Sequence, residues 1–194
     1  MPPKAPSESS KRDAILRAAK DLLWERGFEA MSPRDVMDRS GAGQGSLYHH
    51  FSGKLDLACA ALSEMAAEES AAMDAIFAKD KEPLRRVEDY LMRERAALRG
   101  CRLARLANET AMEQLPFRTP VAGFLQKIED CLTEALRDAR IKGVITSRAD
   151  EKALAAMFLA VVEGGFVLAR AHWDEGRMRR AIDGARQALA ELRN

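Results

Sequence analysis

Residues 32–54 read SPRDVMDRSGAGQGSLYHHFSGK, and this stretch decides the fold. Ser32 is placed to N-cap a helix whose first residue is Pro33, where a missing N–H costs nothing, and Asp35 sits where a capping-box carboxylate reaches back. Val36 and Met37 supply the apolar contact of that short helix. Ser40, Gly41, Ala42 and Gly43 break it, because consecutive small residues with two glycines favour a tight turn. A second short helix is expected over 44–50, with Leu47 and Phe51 four residues apart on its packed side. Its other side carries Gln44, Ser46, Tyr48 and His49, side chains that hydrogen-bond base edges or phosphates from within a major groove.

Other uses of these residues fit poorly. Gly41, Gly43 and Gly45 form a G-x-G-x-G run, but no apolar strand precedes it and no Lys-Ser/Thr pair follows, so a nucleotide loop is not indicated. His49 and His50 are neighbours on a helix, about 100° apart, and do not share the single face a metal site needs.

Working outward, a helix is expected from Ser10 to Arg26, with Ile15, Leu16, Ala19, Leu22 and Leu23 on one stripe. Gly27 ends it and Phe28 folds back onto the core. Residues 1–8, with Pro2, Pro3 and Pro6, read as a mobile arm. The helix is too short to be stable alone, so its stripe must pack on the two helices that follow. Together they make a three-helix DNA-binding unit.

GAGQGSLYHHFSGK (41–54) resembles the recognition segment of the TetR family of transcriptional repressors, a G-x-x-x-G-[ST]-L-Y-x-[HY]-F stretch followed closely by lysine. The resemblance implies an all-α fold, with an N-terminal helix-turn-helix domain over 1–54 and a C-terminal effector-binding and dimerisation domain over 55–194. It implies a homodimer bound to a palindromic double-stranded operator and released by a small-molecule effector. Gln44 matches a base-contacting position, while Tyr48 and Lys54 match phosphate contacts; Ser32, Arg34, Gly45, Ser46 and His49 complete the expected DNA-binding set. The chain departs from the family pattern at Ala42, Gly43 and Leu55, and Gly43 removes a side chain that could cap the recognition helix.

With 47% hydrophobic and 31% charged residues, the 194-residue chain has the composition of an ordinary helical protein with a sizeable core. Its net charge is +1, and residues 1–55 hold nine Lys or Arg against seven Asp or Glu, a local +2. Charge alone therefore does not argue for DNA; Lys4, Lys11, Arg12, Arg34 and Lys54 would have to face one side. No secretory leader or membrane-length apolar run is read, which points to the cytoplasm. Cys59, Cys101 and Cys131 are odd in number and form no C-x-x-C, so neither a disulfide framework nor a zinc site is expected. Cys101 follows Gly100 at an expected helix start, where a sensing thiolate could be stabilised.

Downstream, a helix is expected from Lys54 to Lys79, about 39 Å at 1.5 Å per residue. Lys54 opposes the dipole at its N-terminus, which a bound phosphate would explain. Further helices are expected over 83–98 and 102–112, then a break at Pro116 and Pro120, a helix running on from Val121 to Ala139, and a connection over 141–146 whose Val144 and Ile145 plug the core. The helix 148–173 is apolar nearly all round. Its Gly164 and Gly165 each cost about 1 kcal/mol relative to Ala, which close approach of another backbone would justify. With the last helix, 176–192, it would form a four-helix dimer interface. Phe77, Tyr90, Met112, Phe124, Phe158, Glu163 and Phe166 are the candidate effector-pocket residues; Asn108 and Glu109 are further polar groups that could orient a ligand. No nucleophile, base or cofactor motif is recognised, so no catalytic role, cofactor or metal is expected. A dimerising adaptor without DNA binding is the main alternative and an enzyme the lesser one, since helical bundles host many roles.

Overall fold

The computed structural model describes residues 8–193 apart from 147 and 149. The arm with Pro2, Pro3 and Pro6, and the basic Lys4, lie outside the described residues. Within them the chain forms α1 (Glu8–Arg26), α2 (Pro33–Ser40), α3 (Gln44–His50), α4 (Lys54–Ile76), α5 (Pro83–Met92), two 3-10 turns (Ala104–Asn108 and Thr110–Glu113), α6 (Leu115–Ile141), α7 (Glu151–His172) and α8 (Glu175–Glu191). The chain divides into two compact units: residues 1–67 with 105–122, and 68–104 with 123–194.

In the first unit, Ile15, Leu16, Leu22 and Leu23 of α1 are buried with Val36 of α2, Leu47 of α3 and Leu57 and Leu62 of α4. Ion pairs brace the outside: Arg39 to Glu25 at 2.8 Å, Arg26 to Asp35 at 3.3 Å and Lys20 to Glu64 at 3.2 Å. Segment 105–122 is expected in the C-terminal domain, 55–194. Here it packs into this unit, with Leu106 and Phe117 fully buried and the Phe117 ring edge-on to Phe28 at 5.0 Å.

The second unit is a bundle of the far part of α4, α5, the rest of α6, α7 and α8. Arg86, 4% exposed, is the buried charge that ties it together: it donates to Asp138 at 2.8 Å and to the Lys81 carbonyl at 3.1 Å. Ile145 is buried as expected, and Val144 is half-buried.

Four elements differ from the sequence expectation. Helix α4 stops at Ile76 rather than Lys79 because the Lys81 ammonium turns back onto the carbonyls of Ala75 and Ile76, both at 3.2 Å; its length is about 35 Å. Helix α5 stops at Met92 rather than Leu98 because the Arg95 guanidinium caps the carbonyls of Tyr90, Leu91 and Arg93. The 102–112 helix is replaced by the two 3-10 turns. Pro116 and Pro120 do not break the chain but lie inside α6. Pro116 is in the first turn, where no N–H is required, and Pro120 forfeits one bond while the Thr119 hydroxyl donates to the Leu115 carbonyl at 2.8 Å.

Helix α7 buries Ala155, Phe158, Val162, Gly165 and Ala169 along one face. Gly165 does not wait for another backbone: a Cβ there would collide with the sulfur of Met178 on α8 of the same chain, whereas one at Gly164 would meet nothing within 4 Å. The opposite face carries Met157, Val167 and Leu168, 38%, 67% and 46% exposed, in line with Ala153, Ala160 and Gly164. With a mean hydropathy of 1.8 over eighteen residues, α7 does reach the length and apolarity of a membrane span, correcting the sequence reading. A third of that window is buried within the chain.

Candidate nucleic-acid interface

The local chemistry of residues 27–54 produces two short helices. Ser32 accepts from the Asp35 amide at 3.1 Å while the Asp35 carboxylate accepts from the Ser32 amide at 3.0 Å, closing the capping box. The Ser32 hydroxyl and amide hold the Asp35 carboxyl below the usual carboxylate range. Gly41 then takes a φ of 70°, where its amide reaches the Met37 carbonyl at 2.9 Å, and ends α2. Gly43 caps α3 with no side-chain bond, as its lack of a side chain requires.

Helix α3 is anchored by Leu47, 1% exposed, and by Phe51 just beyond its end, 3% exposed. Its other face is open: Gln44, Gly45 and His49 are exposed, Tyr48 is 48% exposed and Ser46 is half-buried. The His49 and His50 rings meet edge to face at 4.9 Å, and His50 lies 6.3 Å from the Phe51 ring. A notch of about 280 Å³ beside the helix is bordered by Ser10, Lys11, Ser40, Gly43 and Ser46. On α2, Arg34 is exposed and weakly paired with Asp38 at 3.9 Å, and Ser32 is committed to its cap. The open face of α3 thus presents amide, phenol and imidazole groups together, the donor and acceptor set that base edges and phosphates require.

Lys54 opens α4 and is half-buried. Its ammonium donates to the Glu29 carbonyl at 3.2 Å and stands 4.4 Å above the Phe28 ring. Those two contacts, absent from the sequence expectation, explain how a cation is held against the helix dipole. The turn they belong to is itself gripped from the 3-10 segment: the Glu109 carboxylate accepts from the amides of Phe28 at 3.1 Å and Glu29 at 2.9 Å, and Glu29 accepts from the Thr110 amide at 2.9 Å. The Thr110 bonds hold the Glu29 carboxyl below its usual range. Gly27 takes a φ of 85°, which favours glycine, and a Cβ there would push on the Glu109 carboxylate. Glu109 therefore stands in the first unit, bound to the turn between α1 and α2, rather than among the candidate pocket residues of the second; no local sequence pattern marks a carboxylate some eighty residues away as a partner of this turn.

The candidate effector residues divide. Met112 belongs to the first unit, as does the buried Phe117, and Asn108 is exposed. Phe77, Tyr90, Phe124, Phe158, Glu163 and Phe166 belong to the second. There the Phe77 and Tyr90 rings are 5.9 Å apart, Phe124 and Phe158 are buried, and Phe166 is half-buried. Arg95 lies 5.1 Å from the Tyr90 ring centroid. Burial pushes the Glu163 carboxyl up to about 7, against the hydrogen bond from Cys101 and the charge of Arg95. Burial likewise pushes the Cys101 thiol up to about 12, so the stabilised thiolate expected there is not what the site favours. A separate cavity of about 270 Å³ lies between the segment after α5 and helix α8, lined by Leu91, Met92, Arg95, Ala97, Met178 and Ile182.

Residues 15–61 match the family model described as Bacterial regulatory proteins, tetR family, and residues 86–185 match that of the Tetracyclin repressor-like, C-terminal domain. An uncharacterised HTH-type transcriptional regulator of Mycobacterium tuberculosis is 31% identical over 84% of this chain and 86% of its own length. The transcriptional regulator AcuR of Cereibacter sphaeroides is 24% identical over 87% of this chain and 80% of its own. Among solved structures, a transcriptional regulator from Agrobacterium tumefaciens superimposes with a TM-score of 0.84 at 25% identity, covering 97% of this chain and 100% of that one.

Proposed function

The chain belongs to the TetR family and is a DNA-binding transcriptional regulator, and from that premise we propose that it acts as a cytoplasmic, homodimeric repressor released from a palindromic operator by a small molecule. The observation that carries the DNA-reading part is the asymmetry of α3, which buries Leu47 and leaves Gln44, Tyr48 and His49 outward. Gln44 reads a base edge, since its amide pairs bidentately with adenine. Tyr48, Lys54, Arg34, Gly45, Ser46 and His49 position the DNA backbone on either side of that contact, and Ser32 contributes through the cap that starts α2.

Two faces support dimerisation. The exposed apolar stripe of α7 runs through Ala153, Met157, Ala160, Gly164, Val167 and Leu168, and α8 offers Ala181, Gly184 and Ala188 beside it. A contiguous apolar face of this kind, with small residues at its centre, suits close packing of a second copy.

For release, a ligand among Phe77, Tyr90, Phe124, Phe158, Glu163 and Phe166 would displace the end of α4, which bears Met73 and leads directly into Phe77. As α4 is one unbroken helix from Lys54 to Ile76, such a shift becomes a tilt at Lys54. Recognition helices must sit about 34–36 Å apart to enter successive major grooves, so a few ångström at each end spoils docking. The test is direct: purified protein should retard DNA from upstream of its own gene, and compounds that raise its melting temperature should release that DNA. Protein that retards no such fragment, or is stabilised by compounds that leave the complex intact, would refute the corresponding half of the proposal.

A further inference from the structure

Residue Glu29 is held at every polar group it owns. Its N–H goes to Glu109, its carbonyl to Lys54, and its side chain to the Thr110 amide. The two partners on either side of this peptide have different origins: Lys54 belongs to the DNA-reading helices, whereas Glu109 arrives on the 3-10 segment that runs directly into α6. Phe28 repeats the pattern. Its amide is bound by Glu109, one ring contact is Phe117 of α6 at 5.0 Å, and the other is the Lys54 ammonium at 4.4 Å.

We propose that Glu109 is a positioning residue for DNA binding: it fixes the turn between α1 and α2 so that the Glu29 carbonyl and Phe28 ring hold the Lys54 ammonium ready for a backbone phosphate. The inference rests on the assignment of Lys54 to a phosphate contact. An ammonium has three donors, and one is used on the Glu29 carbonyl, which leaves two for a phosphate. A lysine side chain otherwise loses rotamer freedom on binding, a loss already incurred where the ammonium is tethered. Glu109 is also the guard on Glu29. While Thr110 and Glu109 are docked, the Glu29 carboxylate is bound to the Thr110 amide; once undocked, it is free to pair with Lys54 and compete with the phosphate. The regulatory consequence is a second point of control besides α4, because displacement of the 3-10 segment would disable Lys54 without touching α3.

The test uses an operator selected by the wild-type protein from a randomised DNA library. Glu109→Gln, which places an amide NH₂ against two backbone N–H groups, and Glu109→Asp, which cannot span to both, are compared with Lys54→Ala and with the Glu109→Gln/Lys54→Ala pair, each verified as folded and of unchanged oligomeric state. The expected result is a loss of affinity of roughly tenfold in the Glu109 variants, with a salt slope lowered by about one phosphate contact per subunit, as in Lys54→Ala. The double variant should bind no worse than Lys54→Ala alone. Glu109 variants that bind like wild type, or that lose affinity with an unchanged salt slope and in full addition to Lys54→Ala, would overturn the inference. Failure of the wild-type protein to select any operator would instead refute the DNA-binding proposal itself.

Discussion

Gly165 of α7 and Met178 of α8 pack so closely that a Cβ on the glycine would collide with the methionine sulfur, with the Ala181 Cβ a further 3.6 Å contact. Gly164, one residue earlier, has nothing within 4 Å of where its Cβ would stand and lies on the exposed apolar stripe. On the proposed dimer, the two glycines separate folding from assembly. Gly165→Leu should lower stability by about 1–3 kcal/mol through overpacking of the bundle. Gly164→Leu should leave denaturant unfolding of the subunit nearly unchanged and shift sedimentation toward monomer. A Gly164→Leu protein that sediments as an intact dimer would place the contact surface elsewhere.

Base reading and backbone positioning should separate in the same way. Gln44→Ala is expected to cost about 1–3 kcal/mol at one base position of an operator library and little elsewhere. Lys54→Ala should weaken all sequences alike and flatten the salt dependence. Identical library profiles for the two variants would contradict the division of roles.

Glu163 predicts an unusual pH profile. Folding raises its carboxyl from an ordinary 4.5 to about 7, because burial disfavours the charged form. The native state then binds more protons than the unfolded one between those values, so stability falls as pH rises from about 4.5 to 7 and levels off above. Glu163→Gln should match wild type near pH 5 and exceed it on the order of 2 kcal/mol at pH 8. Denaturant titrations at the two pH values decide it; an advantage that is the same at both would show that ionisation is not the cause.

The α2 cap behaves oppositely. Asp35 is depressed by its bonds to the Ser32 hydroxyl and amide, so the stability it contributes is present above its ordinary pKa near 3.8 and is lost as pH falls below. Ser32→Ala should cost about 1 kcal/mol at neutral pH. The difference from wild type should shrink in acid; a difference that grows toward pH 3 would exclude the capping box as its source.

The helix-turn-helix was legible in the sequence because its signals are local. Ser32, Pro33, Asp35 and Gly41 each act within four residues, and the spacing of Leu47 and Phe51 fixes the buried face of α3. The ends of α4 and α5 were not legible, since the groups that stop them, Lys81 and Arg95, act through long side chains that turn back on carbonyls. Prolines 116 and 120 are not helix breaks as expected, because their cost depends on distance from a helix start that no local signal marks. Glu109 looked like a ligand contact for a similar reason: its partners, the Phe28 and Glu29 amides, lie far away in sequence and carry no side-chain signature. Gly164 and Gly165 show the finer limit, because their cost inside a helix marks both as close-packing residues but only the packed fold tells which one faces the chain's own α8.

The central claim, paired DNA-reading units acting in one dimer, is tested most directly by measuring affinity for a selected palindromic operator while the half-site spacing is changed and salt is varied. Inserting about five base pairs, half a helical turn, turns one half-site to the far side of the duplex. The account predicts that this insertion reduces affinity to the level of a single half-site, and that log affinity for the intact operator falls steeply and linearly with log salt. Affinity indifferent to both spacing and salt would contradict it.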